Sequence, residues 1–338
     1  MKAILWHYRF DDMKASWRTQ IKWIVNALHD EGFEVKKTDR FRCYGLDIPI
    51  YDHKIDRDAD LCIYNHTDES YIIGNVLPAK KNWFFKPTVP DTVHTTLDEM
   101  GFGPYSPITY NKPPYENVTQ VQVNEFFKGR VKTWVENKLN KWGKMMQVED
   151  VEIPYDDYYL ILGQCGGDSV VTHYDFGHYF TKLEQVAKEL SRVDDRPIIV
   201  KLHPYTDGED KPKGTYKDNK FSLGLKERLE KIKNVRVYLG KVNIHNFIPK
   251  ARCVLLANSG AGFEVMMHRK PIISWGFPEY HWVTYDLRHL AELHRAIKLD
   301  WFDADAQDKF MYWYMEKYCF FDQATANRRV KELIRELR

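Results

Sequence analysis

Residues 253–286, CVLLANSGAGFEVMMHRKPIISWGFPEYHWVTYD, constrain the fold more than any other part of this 338-residue chain. The apolar run from Cys253 to Ala257 reads as a buried strand that stops at Asn258-Ser259-Gly260-Ala261-Gly262. A helical pattern covers Phe263 to His268, and a second apolar run, Pro271 to Trp275, ends at Gly276. Strand, small-residue turn, helix and strand in this order make a βαβ unit. Ser259 is suited to capping the helix, and the glycines let a ligand approach backbone N–H groups. Such a helix start attracts phosphate, because its orphan donors and its dipole both point at the ligand. The expectation is a sugar-nucleotide site.

The same alternation runs through both halves of the chain. The first opens with a strand, Lys2 to Tyr8, and a helix, about Lys14 to Asp30, with Trp17, Ile21, Ile24, Val25 and Leu28 on one face. Gly32 ends that helix, and strands follow at Phe33 to Lys37, Ala59 to Tyr64 and Trp83 to Phe85. A longer helix, about Asn124 to Met146, comes after the Pro- and Tyr-rich loop 104–115. The acidic stretch Val148 to Asp157, containing Pro154, reads as a hinge. Beyond it, strands at Tyr158 to Leu162, Pro197 to Leu202, Val235 to Leu239, Cys253 to Ala257 and Pro271 to Ser274 alternate with helices at about 179–192, 222–233 and 243–250. The tail from about 303 is helical.

This pattern predicts an α/β fold of two Rossmann-like domains facing a cleft, residues 1–150 and 151–320, with a C-terminal helix, 321–338, crossing back to the first. Neither GxGxxG after the first strand nor GxxxxGK[ST] is present, which excludes the usual dinucleotide and P-loop fingerprints and suggests the GT-B arrangement. Net charge is only +2, so no whole-molecule field argues for nucleic acid or membrane. The cysteines (Cys43, Cys62, Cys165, Cys253, Cys319) are odd in number and lack CxxC spacing, which argues for reduced thiols in a cytosolic protein and against zinc. The amino terminus meets charge too soon for a signal peptide, and no apolar run approaches the roughly 20 residues of a membrane span.

Four segments at strand ends carry the candidate chemistry. In Gly163-Gln164-Cys165-Gly166-Gly167-Asp168-Ser169 the glycines turn the chain and bring Asp168 to the sheet edge. A carboxylate there attacks an anomeric carbon, serves as a base, or simply caps a helix or turn. In Lys201-Leu202-His203-Pro204, alternation puts Lys201 and His203 on one side of a strand. His203 can stabilise a leaving phosphate or relay a proton and Lys201 can offset negative charge; a lone strand-end histidine is more often structural. In the third segment the N–H groups of Gly260, Ala261 and Gly262 can hold phosphate, and Glu264 can accept ribose hydroxyls. Glu264 can equally be a dipole-stabilised residue worth about 0.3–1 kcal/mol. The fourth, Gly276 to Trp282 with Tyr280, suits stacking on a base or sugar, or covering the core.

Gly163-Gln164…Asp168, Lys201…His203-Pro204, Ser259…Gly262-Phe263-Glu264, Lys270-Pro271 and Gly276…Pro278…Tyr280…Trp282…Thr284 occur in one order over residues 158–286. That order resembles the capsule polysaccharide biosynthesis glycosyltransferases, especially the retaining β-Kdo transferases. The resemblance implies a GT-B fold, a nucleotide-sugar donor held mainly by the second domain, no cofactor and no essential metal. It implies Asp168 as nucleophile, with His203 and Glu264 in the donor site; Gln164, Lys201, Ser259 and Tyr280 are the further donor-site candidates. Where the family usually has acidic residues before the aspartate, this chain has Gly166 and Gly167, and its KPHP-type segment is Lys201-Leu202-His203-Pro204.

The acceptor is then a bacterial surface glycan or glycolipid, or, for a phage-type DNA glycosyltransferase, a hydroxymethylated base. Lys128, Arg130, Lys132, Lys138, Lys141 and Lys144 form a basic stretch that contacts DNA phosphates, meets an anionic glycolipid surface, or is a solvated helix face. In the DNA case Arg18 and the loops 83–88 and 104–115 receive a flipped base. A nucleotide-sugar epimerase shares the architecture without needing an acceptor, and a non-catalytic glycan-binding module would need neither Asp168 nor His203.

Overall fold

The computed structural model describes residues 1–7, 15–39, 41–42, 49–50, 59–65, 81–91, 93–101, 103–140, 150–166, 169–172, 179–204, 206 and 224–335. The chain divides into two compact units, Met1–Pro114 with Tyr312–Arg338, and Tyr115–Met311.

The first unit carries β1 (Lys2–His7), β2 (Glu34–Asp39), β3 (Phe41–Arg42), β4 (Pro49–Ile50), β5 (Leu61–Asn65), β6 (Lys81–Pro87) and β7 (Thr95–Asp98). Five of these form a sheet ordered β2-β1-β5-β6-β7, while β3 and β4 pair only with each other. Pairing is parallel up to β7, which runs antiparallel to β6. The apolar runs predicted β1, β2, β5 and β6. Strand β7 reads Thr-Thr-Leu-Asp and has no such run, although all four residues are buried. It is bonded on its far side as well, where Thr95 and Phe320 exchange backbone bonds of 2.9 Å.

The helix Ala15–Asp30 turns its predicted face inward. Ile21, Ile24 and Leu28 are buried in one cluster with Ala326, Val330 and Leu333 of the helix Gln323–Arg335. Asn26 Nδ2 donates to Gln323 Oε1 at 2.9 Å across that contact. Residues 312–335 thus complete the first core, with Phe320 fully buried against Trp23.

The second unit is a six-stranded sheet of β8 (Tyr158–Leu162), β9 (Ile198–Lys201), β10 (Val235–Tyr238), β11 (Ala251–Leu256), β12 (Ile272–Ser274) and β13 (Tyr285–Asp286). Its order is β10-β9-β8-β11-β12-β13 and every pair is parallel. That is the 3-2-1-4-5-6 order of the dinucleotide-binding sheets, in which the order reverses between the first and fourth strands, here β8 and β11. The strands were legible because a parallel sheet covered on both faces needs near-continuous apolar runs. Every residue of β8, β9 and β12 is buried.

Three expectations differ from the structure. The helix read at 124–146 begins earlier, as Gln120–Phe126, with a capping box of Thr119 and Gln122. It widens into a π-turn at Phe127–Val131 and ends as Lys132–Glu136. Lys138 takes a left-handed φ of 45°, and the N–H groups of Lys138 and Leu139 return to the carbonyls of Val135 and Trp134, a Schellman closure. Residues 141–149 lie outside the described residues, Lys141 and Lys144 among them. The described part of the hinge segment, 150–157, lies inside the second unit. Three of its four acids are paired there, Asp150 with Lys138, Asp156 with Lys250 and Asp157 with Arg196.

The third difference is the helix read at 243–250, which is only a single turn, Ile244–Asn246, whose cap Asn243 accepts from the His245 N–H. His245 Nε2 lies 2.8 Å from the Leu139 carbonyl, which can only accept, so Nδ1 is left to accept from His268 Nε2 at 2.8 Å. Burial lowers the pKa of both rings, that of His268 to about 4. Both therefore stay neutral in the fold, and the unfolded chain binds more protons between about pH 6.5 and 4. Unfolding free energy is expected to fall by about 1–3 kcal/mol as pH drops through that window. Urea titrations of the wild type and of His268→Phe check this; an equal pH slope in both would reject it.

Candidate functional site

In a parallel sheet all strands deliver their carboxyl ends to one edge, and ligands of doubly wound folds sit where the strand order reverses. At that edge of the second unit, β8 leads into Gly163-Gln164-Cys165-Gly166 and β11 into Ala257-Asn258-Ser259-Gly260. The two loops are joined by a chain of amide bonds. The Asn258 backbone N–H donates to Gln164 Oε1 at 3.0 Å, Gln164 Nε2 donates to Asn258 Oδ1 at 2.9 Å, and Asn258 Nδ2 donates to the Val170 carbonyl at 3.0 Å. A backbone donor at one end and a backbone acceptor at the other fix the orientation of both amides. The Gln164 N–H also donates to the buried Tyr179 hydroxyl at 2.6 Å.

Gln164 is thus a fastener between loops, with its amide nitrogen and oxygen each bonded to Asn258. Asn258, which joins the two loops, is the residue the sequence reading did not single out. An amide directly after a buried apolar strand needs a buried partner, and that was the available signal.

Asp168 lies outside the described residues, as does Gly167; the described residues run to Gly166 before them and resume at Ser169. Gln164 precedes Asp168, and the helical turn Ser169–Thr172 follows, tied through the Val170 carbonyl to Asn258.

The small-residue turn differs from expectation in detail. The helix is Gly262–Met267 with Ala261 at its N-cap, and no side chain caps it. Ser259 Oγ accepts from the Ala261 N–H at 3.2 Å, and the Ser259 carbonyl accepts from the Gly262 N–H at 3.1 Å. Two of the three N–H groups read as a phosphate cradle are therefore already bonded within the turn. Gly260 is exposed.

Tyr280 covers the other side of this turn. Its hydroxyl donates to the Ser259 carbonyl and its ring meets Phe263 edge-on at 5.2 Å. Gly262 is required for that approach, since a Cβ there would sit 2.2 Å from Tyr280 Cζ. So Gly262 admits a tyrosine ring, where the sequence reading had it admit a ligand. Tyr280 is 1% exposed, which removes it as a stacking surface. Burial, then the charges of Glu279 and Glu264, push its hydroxyl pKa well above the usual value. Glu264, also buried, belongs to this packed side of the helix. Half-buried aromatic surface remains in the same loop, where Phe277 stacks on His281 at 4.2 Å and His281 lies 4.4 Å from Trp282. Gly262→Ala is expected to lower stability by about 1–3 kcal/mol, because the Tyr280 ring must leave its pocket. Equal melting temperatures for wild type and variant would contradict this packing.

Lys201 ends β9 and is buried, with Nζ donating to the carbonyls of Leu202 at 2.7 Å and Gly240 at 2.8 Å. It joins the ends of β9 and β10, and burial lowers its pKa to about 8. His203 lies beyond the strand end, half-buried, its carbonyl accepting from the Thr206 N–H at 2.9 Å. Lys201 and His203 therefore do not present one strand face.

Of the acceptor candidates, Arg18 is exposed on the first unit, and Lys128 and Lys132 on the second. Lys132 lies 3.7 Å from Glu136, and Lys138 bonds Asp150 at 2.6 Å and Asn246 at 3.0 Å. Lys132 is thus paired on the exposed helix face, while Lys138 lies past the helix end and is held to Asp150 and to the turn at Asn246. Among the described residues no group of three or more His, Cys, Asp or Glu is placed to hold a metal ion, and no helix is long and apolar enough to cross a membrane.

The family of capsule polysaccharide biosynthesis proteins matches residues 109–321, well over half of the chain. The chain belongs to this family. Two solved structures are similar along nearly the full length. The KpsC β-Kdo 2,4 transferase of Thermosulfurimonas dismutans has 16% identity and a TM-score of 0.56 over 95% of this chain and 93% of its own. The KpsC β-Kdo 2,7 transferase of the same organism has 14% identity and a TM-score of 0.54 over 100% of both chains. At such identities the likeness shows the fold, GT-B with two Rossmann-like domains. No curated protein sequence matches. As a member of the capsule biosynthesis family with this fold, the chain is a glycosyltransferase of the capsule or glycan biosynthesis type.

Proposed function

We propose that the chain moves a hexosyl, pentosyl or Kdo-type sugar from a nucleotide-sugar donor to a bacterial surface glycan or glycolipid, with retention of anomeric configuration. The second unit holds the donor at the carboxyl edge of its sheet, and the first unit receives the acceptor. One observation carries this reading. The segments on both sides of Asp168 are fastened, through Gln164 and Val170, to Asn258 at the start of the Ser259–Gly262 turn. A nucleophile and a donor-binding turn must keep a fixed spacing, and this chain of amides supplies one.

In the proposed reaction an Asp168 oxygen attacks the anomeric carbon as the bond to the nucleotide phosphate oxygen breaks. The phosphate leaves with its electron pair, stabilised by His203 and the Gly260 N–H. The acceptor hydroxyl then displaces Asp168 from the opposite face, Asp168 leaves as a carboxylate and the hydroxyl proton passes to water, so two inversions give net retention. The half-buried Phe277, His281 and Trp282 offer the donor a stacking surface.

A thermal-shift screen with UDP-, GDP- and CMP-sugars identifies the donor; saturation to about 100 times Kd stabilises by about 2.7 kcal/mol. With that donor and a slow acceptor, mass spectrometry is expected to find a glycosyl adduct on the peptide containing Asp168. An adduct on another peptide, or a product of inverted configuration, overturns the mechanism.

A further inference from the structure

A cavity of about 420 Å³ lies within the first unit, between the end of β7, residues 107–114 and the tail segment that includes Trp313 and Arg329. Register fixes its place. In antiparallel β7, Asp98 pairs with Phe84, and Glu99 lies 3.9 Å from Lys81, the first residue of β6. The cavity therefore sits toward the amino-terminal end of the parallel strands, whereas nucleotide ligands of such sheets use the carboxyl ends. Its volume is that of a small-molecule site.

The polar wall is held in place. Asp98 is buried, with Oδ2 accepting from the Tyr318 hydroxyl at 2.5 Å and Oδ1 from the Gly101 N–H at 3.2 Å. The Tyr318 oxygen lies 2.6 Å from Ser106 Oγ, and Trp313 stacks on the Tyr318 ring at 5.2 Å. Arg329 Nε donates to the Leu97 carbonyl at 2.9 Å and Nη1 to Glu332 at 3.4 Å, with its guanidinium 5.0 Å from the Tyr318 centroid. Those bonds use two of its five N–H donors.

The lining combines apolar faces (Pro107, Pro113, Trp313) with acceptors, an amide and donors (Asp98, Asn111, Arg329). A pyranose ring needs this combination, since it presents C–H faces ringed by hydroxyls that both donate and accept. Asp98 and Glu99 are balanced in the lining by Lys112 and Arg329, so no net positive field selects a phosphate, and an acyl chain would bury the Asn111 amide and the remaining Arg329 donors without partners. We infer that this cavity, toward the amino-terminal end of the first unit's parallel strands, is a saccharide-binding subsite that holds a stretch of glycan. The inference rests on the reading of the acceptor as a glycan.

Calorimetric titration of the whole chain without donor tests it, using maltohexaose and a hexasaccharide of alternating glucuronate and N-acetylglucosamine. At least one is expected to bind, and Trp313→Ala and Asn111→Ala are each expected to weaken binding about tenfold or more. Asn111 is exposed, so its variant keeps the test decisive should Trp313→Ala fail to fold. Binding of neither hexasaccharide, or unchanged binding in a folded variant, overturns the subsite. Wild-type transfer to a glycan acceptor, assayed in parallel, keeps the two readings distinct: persistent transfer without cavity binding rejects the subsite alone, and absence of transfer to any glycan rejects the proposed function.

Discussion

Asp168→Ala is expected to slow glycosyl transfer by about 10⁴-fold or more while the melting temperature stays within a degree or two of wild type. A group that forms the covalent intermediate has no substitute in the site, and four powers of ten correspond to about 5–6 kcal/mol of lost transition-state stabilisation. His203→Ala is expected to cost less, about 10²-fold or more, the range of a positioned proton donor or acceptor. The donor-induced thermal shift separates the two roles. Asp168→Ala should keep it, because the nucleophile acts after binding, whereas His203→Ala should reduce it if the ring meets the leaving phosphate. Steady-state kinetics with the donor found by the thermal screen give the rates. Full activity in both variants would sink the assignment and return the loop after β8 to a capping role.

The fold was legible wherever burial is local. Strands β8, β9, β11 and β12 are covered on both faces, so their sequences are apolar runs that announce a parallel sheet. What local pattern does not carry is which distant segments pack together. Residues 115–140 belong to the second unit, where Tyr115 meets Phe310 at 5.5 Å and Arg269 lies 4.2 Å over the Phe127 ring. No periodicity in 115–140 points to those partners, and the boundary read near 150 followed composition instead. Strand β7 escaped for a related reason, since it is buried by Phe320 from the far end of the chain.

The site shows the same division. The four loops were found because strand ends at one edge must converge, and residue type suggested their chemistry. Side-chain partners add structural bonds that the sequence did not show. Gln164, Lys201 and Tyr280 were chosen as donor contacts, and each is engaged in holding one loop to another. A buried polar side chain at a strand end satisfies its own hydrogen bonds first, and only the structure shows with whom.

That fastening makes the second large prediction. Asn258→Ala would strand Gln164 Nε2 in a buried place and cut the tie to the Val170 carbonyl, at a cost of about 1–3 kcal/mol. Gln164→Ala would strand Asn258 Oδ1 and the Asn258 N–H and should cost about as much. In the double variant the groups that each single change orphans in the other side chain are gone. The combined loss should therefore fall short of the sum by about 1–2 kcal/mol. Denaturant unfolding of the four proteins measures the coupling, and strict additivity would show that the two amides act independently. The activities discriminate further. If the amide chain sets the spacing between the Asp168 segment and the donor turn, Asn258→Ala should lower kcat by more than its stability loss explains, at a temperature where the variant remains folded. Gln164→Glu sharpens the test, since it keeps the shape and places a carboxylate oxygen against Asn258 Oδ1 where an N–H had been. It should lower both stability and kcat at neutral pH and regain part of each as the pH falls and the carboxyl takes up a proton with which to donate.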